Sequence, residues 1–204
     1  MPRISESERE ARRNQILNAA RACVAEYGLE AVSMEMIIKA SGVSVGAVYR
    51  YFKGKDDVIA AAFISGTTGM IEALEPVWAQ SPLPAPPELV GEVLRAIRRY
   101  QAGAPADLSA VTLHGWSHSQ SDLDLRAGAR RLYGSLRGRY AQAVRQWQAA
   151  GRVDAGIDPE SLAELLFSIT VGFTAQRVLV GDADIDAHVV ALRALIGAGA
   201  GQRG

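Results

Sequence analysis

The chain has 204 residues, 49% of them apolar, enough to bury a core and too apolar for an intrinsically disordered protein. Its 22 basic and 22 acidic side chains balance, so no global charge points to nucleic acid. No uninterrupted apolar run reaches the roughly 18 to 20 residues of a membrane span, and the single cysteine, Cys23, admits no internal disulfide. The N-terminus, MPRISESEREARRNQ, is charged and lacks the apolar centre of a secretory signal, which predicts a cytoplasmic protein. Charge is unevenly spread: residues 1–55 hold nine basic and six acidic side chains, and residues 56–204 hold thirteen and sixteen.

In chain order, Ile16, Ala20, Cys23, Val24 and Tyr27 recur at helical intervals, with Arg12, Arg13, Arg21 and Glu26 on other faces, and Gly28 supplies a stop. Ser33 with Glu35 reads as an N-cap and an acidic first turn, opening a short helix that ends before Gly42. Ser44 caps the next helix, which runs towards Phe52. Asp56 and Asp57 begin a long apolar helix from Val58 to Trp78 that Pro76 closes or kinks. The four prolines of 81-SPLPAPPE-88 mark a connector, and a helix resumes from Glu88 through Tyr100. After a break at Gly103–Pro105, Leu108 to His118 is predicted helical, and Leu123 to Ala150 is a long arginine-rich helix. Asp158-Pro159-Glu160 is a cap followed by proline at the first helical position. It opens a helix ending near Gly181. A last helix, Ile185 to Ile196, frays into the terminal glycines. No strand pattern and no repeat appear, so the fold class is all-α.

The segment 40-ASGVSVGAVYRYFKGKDDV-58 carries the functional signal. Two short helices joined by a tight turn form a helix-turn-helix. At about 100° per residue, Val48 and Phe52 point together into a core, and Gly46, Ala47 and Arg50 face away. The outward face therefore begins with small residues and ends with tyrosine hydroxyls and cations. Small residues let a backbone approach a polyanion, and tyrosine and Lys55 can donate to phosphate oxygens. Val45 is placed for apolar contact with a thymine methyl.

Residues 12–63 resemble the DNA-binding domain of TetR-family transcriptional regulators. The family pattern is a first helix ending in an aromatic-Gly pair, here Tyr27-Gly28, and a second helix opened by Ser or Thr, here Ser33. An A-G-V-S-x-G-x-x-Y-x-Y/H-F-x-x-K-x-x-L/V signature follows, matched here with Ser41 between Ala40 and Gly42. The resemblance implies phosphate contacts for Ser33, Ser44, Tyr49 and Lys55, and positions near the bases for Val45, Gly46, Ala47 and Tyr51. Val45 departs from the basic or polar residue that often follows the capping serine, which shifts weight to Tyr51, apolar contact and DNA shape. Arg3, Arg12 and Arg13 could reach neighbouring phosphates or form a solvated end.

The resemblance further implies a DNA-binding domain over residues 1–55 and a helical ligand-binding and dimerisation domain over 56–204. Leu162, Leu165, Leu166, Ile169, Phe173, Leu192 and Leu195 supply apolar faces for a four-helix dimer seam. Two reading heads related by a twofold axis read half-sites about one DNA turn apart. Ligand-pocket candidates are Met70, Leu74, Trp78, Leu113, His114, Trp116, Trp147 and Phe173.

Three other signals are set aside. His114 and His118 have helical metal-pair spacing but lack the acid of HExxH and a third ligand, so no metal is expected. The tail 199-GAGQRG-204 formally matches G-x-G-x-x-G but follows a helix, so it builds no nucleotide site. Arg126, Arg130, Arg131, Arg137, Arg139 and Arg145 read as a solvated or salt-bridged helix face. The expectation is a homodimeric repressor with no catalytic residues and no cofactor. Its partners are a palindromic double-stranded DNA operator, which it releases on binding a small apolar or amphipathic effector, and a second copy of itself, with no membrane. The alternative is a helical small-molecule-binding protein or enzyme without operator function.

Overall fold

The computed structural model describes residues 5–104, 115–117, 119, 120, 123–181 and 183–200, and no strand occurs among them. Two compact units divide the chain. The first takes residues 1–69 and 101–129, the second 70–100 and 130–204. The units therefore divide elsewhere than at residue 55 and interleave along the chain.

In the first unit, α1 (Glu6–Tyr27) opens on a reciprocal cap. The Ser5 hydroxyl accepts from the Glu8 N–H, and the Glu8 carboxylate accepts from the Ser5 N–H at 2.8 Å. The Ser5 N–H, and then the Ser5 hydroxyl donating to the same carboxylate at 2.9 Å, hold the Glu8 carboxyl below its ordinary pKa. Gly28 ends the helix at φ 76°, donating to the Val24 carbonyl. The short α2 (Met34–Ser41) starts where the Ser33 hydroxyl accepts from the Met36 N–H, and stops at Gly42 with φ 64°. The single turn α3 (Val45–Val48) continues through bonded turns, with the N–H groups of Tyr49 and Phe52 donating to Val45 and Val48. Then α4 (Lys55–Trp78) carries Pro76 in its last turn and ends at Trp78, the predicted boundary. Ile16, Leu17, Ala20, Cys23 and Val24 of α1 close over Ile37, Val48, Phe52, Val58, Ile59 and Ala62 to form one core. Two expectations fail on α1: Tyr27 is exposed, and Arg21 is buried.

The second unit packs the end of α4 with α5 (Pro86–Ala102) up to Tyr100, α6 (Leu123–Ala149) from Arg130 onward, α7 (Pro159–Leu179) and α8 (Ile185–Ala200). As predicted, Asp158 caps α7, its carboxylate accepting from the Ser161 N–H at 2.8 Å ahead of Pro159. Helix α8 continues to Ala200 instead of fraying after Ile196. The core gathers Leu74, Val90, Val93, Leu94, Leu136, Tyr140, Val144, Trp147, Leu166 and Phe173. Within it the Tyr140 hydroxyl bonds the Thr170 hydroxyl at 2.7 Å, and Thr170 donates to the Leu166 carbonyl. The proline-rich connector is stitched down: Trp147 Nε1 donates to the Pro84 carbonyl at 2.8 Å, and Arg152 donates to the Leu83 carbonyl. Arg137, Arg139 and Arg145 pair with Glu164, Glu75 and Glu160, as the charged-face reading expects. Of the predicted segment 108–118, residues 115–117 are helical, and 108–114 and 118 lie outside the described residues.

Helices α5 and α8 approach closely at Gly91, where an added Cβ would stand 2.5 Å from Val189 Cγ2. Alanine in a helix gains about 1 kcal/mol over glycine, whereas forcing a methyl into a packed contact costs about 1 to 3 kcal/mol. Gly91→Ala is expected to lower the thermal midpoint despite its better helix propensity. Val189→Ala in the same background is expected to recover most of that loss, as read by a double-mutant cycle of thermal melts.

Candidate nucleic-acid interface

The reading segment is anchored from beneath and bare on top. Val48 is fully buried and Phe52 is 3% exposed, one turn apart, so α3 is held by its inner face. On the outer face Val45 is 57% and Tyr49 53% exposed, with Gly46 and Arg50 exposed beside them. Ser44 sits at the N-cap with extended backbone, but its hydroxyl makes no capping bond. The expected cap there is thus positional only, and the hydroxyl is not consumed by the helix.

Gly46 is the most informative position. It is not among the glycines of positive φ, and a Cβ built on it would meet nothing within 4 Å. Neither backbone conformation nor internal packing calls for glycine, yet glycine weakens a helix by about 1 kcal/mol relative to alanine. The bare backbone at this exposed position leaves room for a partner to approach from outside.

The other sequence-predicted residues are placed less uniformly. Ser33 is exposed, its hydroxyl accepting the α2 cap bond. Ala47 and Tyr51 are half-buried and pack against the head core, flanking the buried Val48 and Phe52. After Val48 the chain turns more tightly, the Arg50 and Tyr51 N–H groups donating to the Ala47 and Val48 carbonyls. Lys55 is half-buried, its Nζ 3.5 Å from the Glu30 carbonyl, with further donors left on the ammonium. Arg13 stacks over the Phe52 ring at 5.6 Å, Arg12 is exposed, and Arg3 lies outside the described residues. An open groove of about 480 Å³ beside this head, lined by Asn14, Gln15, Asn18 and Ser41, had no motif to announce it.

Five of the ligand-pocket candidates fall in or against the core of the second unit. Leu74, Trp147 and Phe173 are buried in the second unit's core, with Met70 and Trp78 packed against it. Trp147 is committed to the Pro84 carbonyl, Trp78 meets Tyr140 edge-on, and Phe173 meets His188 edge-on. Trp116 belongs to the first unit, while Leu113 and His114 lie outside the described residues, as does His118. Among the described residues no three His, Cys, Asp or Glu side chains cluster as a metal site.

The dimer candidates split by burial. Leu165 and Leu195 are 56% and 73% exposed, and Leu162, Ile169 and Leu192 are half-buried. Leu166 and Phe173 are corrected: both are buried in the chain's own core and add no open apolar surface. Leu179, Val180, Val190 and Ile196, not singled out from sequence, add exposed apolar surface. Helices α4 and α7 are long and apolar enough by length and composition to cross a membrane, although charges interrupt them. Only 28% of the apolar window of α7 is buried within the chain.

An anchored, outward-facing helix-turn-helix in one unit and uncovered apolar helical faces in the other are the parts a DNA-binding regulator of the all-α class requires. Residues 16–62 match the model for bacterial regulatory proteins of the tetR family, and residues 87–198 match that for the C-terminal part of BetI-type transcriptional repressors. The second match alone spans more than half of the chain. The chain belongs to the TetR family of transcriptional regulators. A Mycobacterium tuberculosis HTH-type transcriptional repressor, Rv1474c, is 45% identical over 56 residues, 28% of this chain and 30% of that protein. The chain thus aligns with under a third of that relative's length. The Escherichia coli K12 regulator UidR is 24% identical over 94% of each chain. In fold, the chain is similar to the Bacillus subtilis regulator FadR solved with stearoyl-CoA. The TM-score is 0.72 at 23% identity, covering 90% of this chain and 96% of that one.

Gly46→Ala is expected to leave the thermal midpoint unchanged or slightly higher while weakening binding to duplex DNA at least several-fold. Melting and fluorescence-anisotropy titrations on one preparation check both halves.

Proposed function

We propose that the protein is a cytoplasmic, homodimeric repressor that binds a palindromic operator and releases it when a small apolar or amphipathic effector binds the helical second unit. The observation that carries the DNA-binding half is the bare strip of Val45, Gly46 and Tyr49 over the buried Val48 and Phe52. Ser33, Ser44, Tyr49 and Lys55 hold phosphates and fix register. Val45, Gly46, Ala47 and Tyr51 lie near the bases, with Val45 against a thymine methyl. Arg50, exposed on the same face, joins the phosphate contacts.

Two heads are needed, because one short reading helix spans few base pairs. The second copy covers the apolar faces left open on α7 and α8, with Leu165 and Leu195 in the seam. We read the apolarity of α7 as that seam and not as a membrane segment, since Glu160, Glu164 and Arg177 interrupt it. The amphipathic effector class is supported by the fatty acyl thioester bound in the Bacillus FadR structure. An effector releases DNA only through unequal affinity for two arrangements of the protein.

Gel retardation of the protein's own promoter region across a salt series tests the reading, since phosphate-driven binding weakens steeply with salt. Tyr49→Phe with Lys55→Ala is expected to weaken all sequences alike and to lower the slope of log affinity against log salt by about 1, the share of the Lys55 charge, since the neutral tyrosine hydroxyl releases no counterion. Unchanged binding removes these residues from the contact set. Leu165→Glu with Leu195→Glu is expected to give a folded monomer in sedimentation velocity with sharply reduced operator affinity. A dimer persisting in that variant moves the seam elsewhere. A compound panel scored for a raised melting midpoint together with DNA release identifies the effector.

A further inference from the structure

Arg21 is a buried charge that the DNA-facing surface does not use. It lies on α1 with 8% exposure; its Nε donates to the Ala62 carbonyl of α4 at 3.1 Å, and its Nη1 to Asn18 Oδ1 at 2.7 Å. A Cβ on Gly66 would stand 3.5 Å from that Nε, so the guanidinium fills the space beside the glycine. A guanidinium stays charged in proteins, and burying one is tolerated only where partners are fixed. A leucine or methionine would fill the space without that desolvation cost. Arginine supplies instead a bond to the backbone of α4, which senses where that helix is and not what it carries.

The next stretch of α4, 65-SGTTG-69, is built to yield. Thr67 and Thr68 turn their hydroxyls back onto the carbonyls of Phe63 and Ile64, both at 2.9 Å. With Arg21 on Ala62, three consecutive carbonyls take side-chain bonds. Such back-bonding competes with the helical ladder and bends helices. Gly66 and Gly69 lower helix propensity, and serine-glycine pairs are frequent kink sites. The division into compact units falls here as well, between Gly69 and Met70.

We propose that Arg21 is a positioning residue that locks α1 to α4 just ahead of a flexure at residues 65–69, so that the reading head and the first turns of α4 pivot as one body. This rests on the operator-binding reading and deepens it: the latch sets how strictly a dimer's heads are held to one half-site spacing. Without it, α1 and α4 keep only their apolar packing at Val58, Ile59 and Ala62, which lets each head adjust more freely.

The test uses the full-length protein and an operator selected by the wild type from random duplexes. Affinity is measured for that duplex and for versions with the central spacer one base pair longer or shorter. The wild type is expected to lose affinity steeply on both altered spacers. Arg21→Met is expected to shrink that penalty by about fivefold or more, the lower end of ordinary coupling between sites. Arg21→Lys, which keeps a donor, restores part of it. The pair Gly66→Ala and Gly69→Ala stiffens the flexure and widens the penalty. A purely structural role instead lowers the melting midpoint and weakens all three duplexes by one common factor, leaving the penalty unchanged. That result overturns the latch alone. If Arg21→Met does not fold, the double alanine decides: a wider penalty supports the proposal and an unchanged one overturns it. A wild type that selects no duplex overturns the operator reading and the latch with it.

Discussion

Val48 and Phe52 stand one turn apart on the inner face of the reading segment, and their burial beneath α1 orients everything the head presents. A four-residue helix has no stability of its own, because helix nucleation is costly and short helices lean on tertiary packing. The segment is a helix because those two side chains are removed from water against Ile16, Leu17 and Ile37. Truncating such a buried phenylalanine costs about 3 to 5 kcal/mol in comparable cores, a large part of a domain's marginal stability. Exposure of Val45, Gly46 and Tyr49 is the other side of the same seating.

The second unit solves a different problem, that of placing polar groups inside an apolar helical stack. Tyr140 is wholly buried, and desolvation pushes its hydroxyl above the ordinary tyrosine range, with the Thr170 bond opposing that rise. The hydroxyl therefore stays protonated and donates to Thr170, whose own proton goes to the Leu166 carbonyl. Among the described residues no buried side-chain nitrogen or oxygen lacks a partner. The unpaired feature of this unit is apolar instead, at Leu165, Leu179, Val190 and Leu195.

The helices were legible because their boundary residues act locally. Ser33, Gly28, Gly42 and the Asp158-Pro159 pair each sit where cap chemistry places them. The head core was legible because an i,i+4 pair on a helix can face only one way. What stayed hidden depends on neighbours distant in sequence. Arg21 reads as a surface charge until the Ala62 carbonyl is beside it. Leu165 and Leu166 are chemically equal, and only the tertiary fold sends one outward and the other inward. The same limit applied to the aromatic candidates, since periodicity cannot separate a pocket wall from core. Pro76 also acts locally: it lies in the last turn of α4, which ends at Trp78 as its sequence reads.

The connector before α5 carries a consequence for how this scaffold can vary. Prolines and small residues at 81–88 have the composition of a tether, yet Leu83 and Pro87 are buried, and Trp147 and Arg152 each hold one of its carbonyls. An indole that has lost its acceptor is left with a buried, unsatisfied donor. Inserting or deleting a residue here would shift both carbonyls out of reach and unseat the far end of α6. Length polymorphism among descendants of this chain is therefore to be sought in other loops, with this one preserved as an inextensible strap.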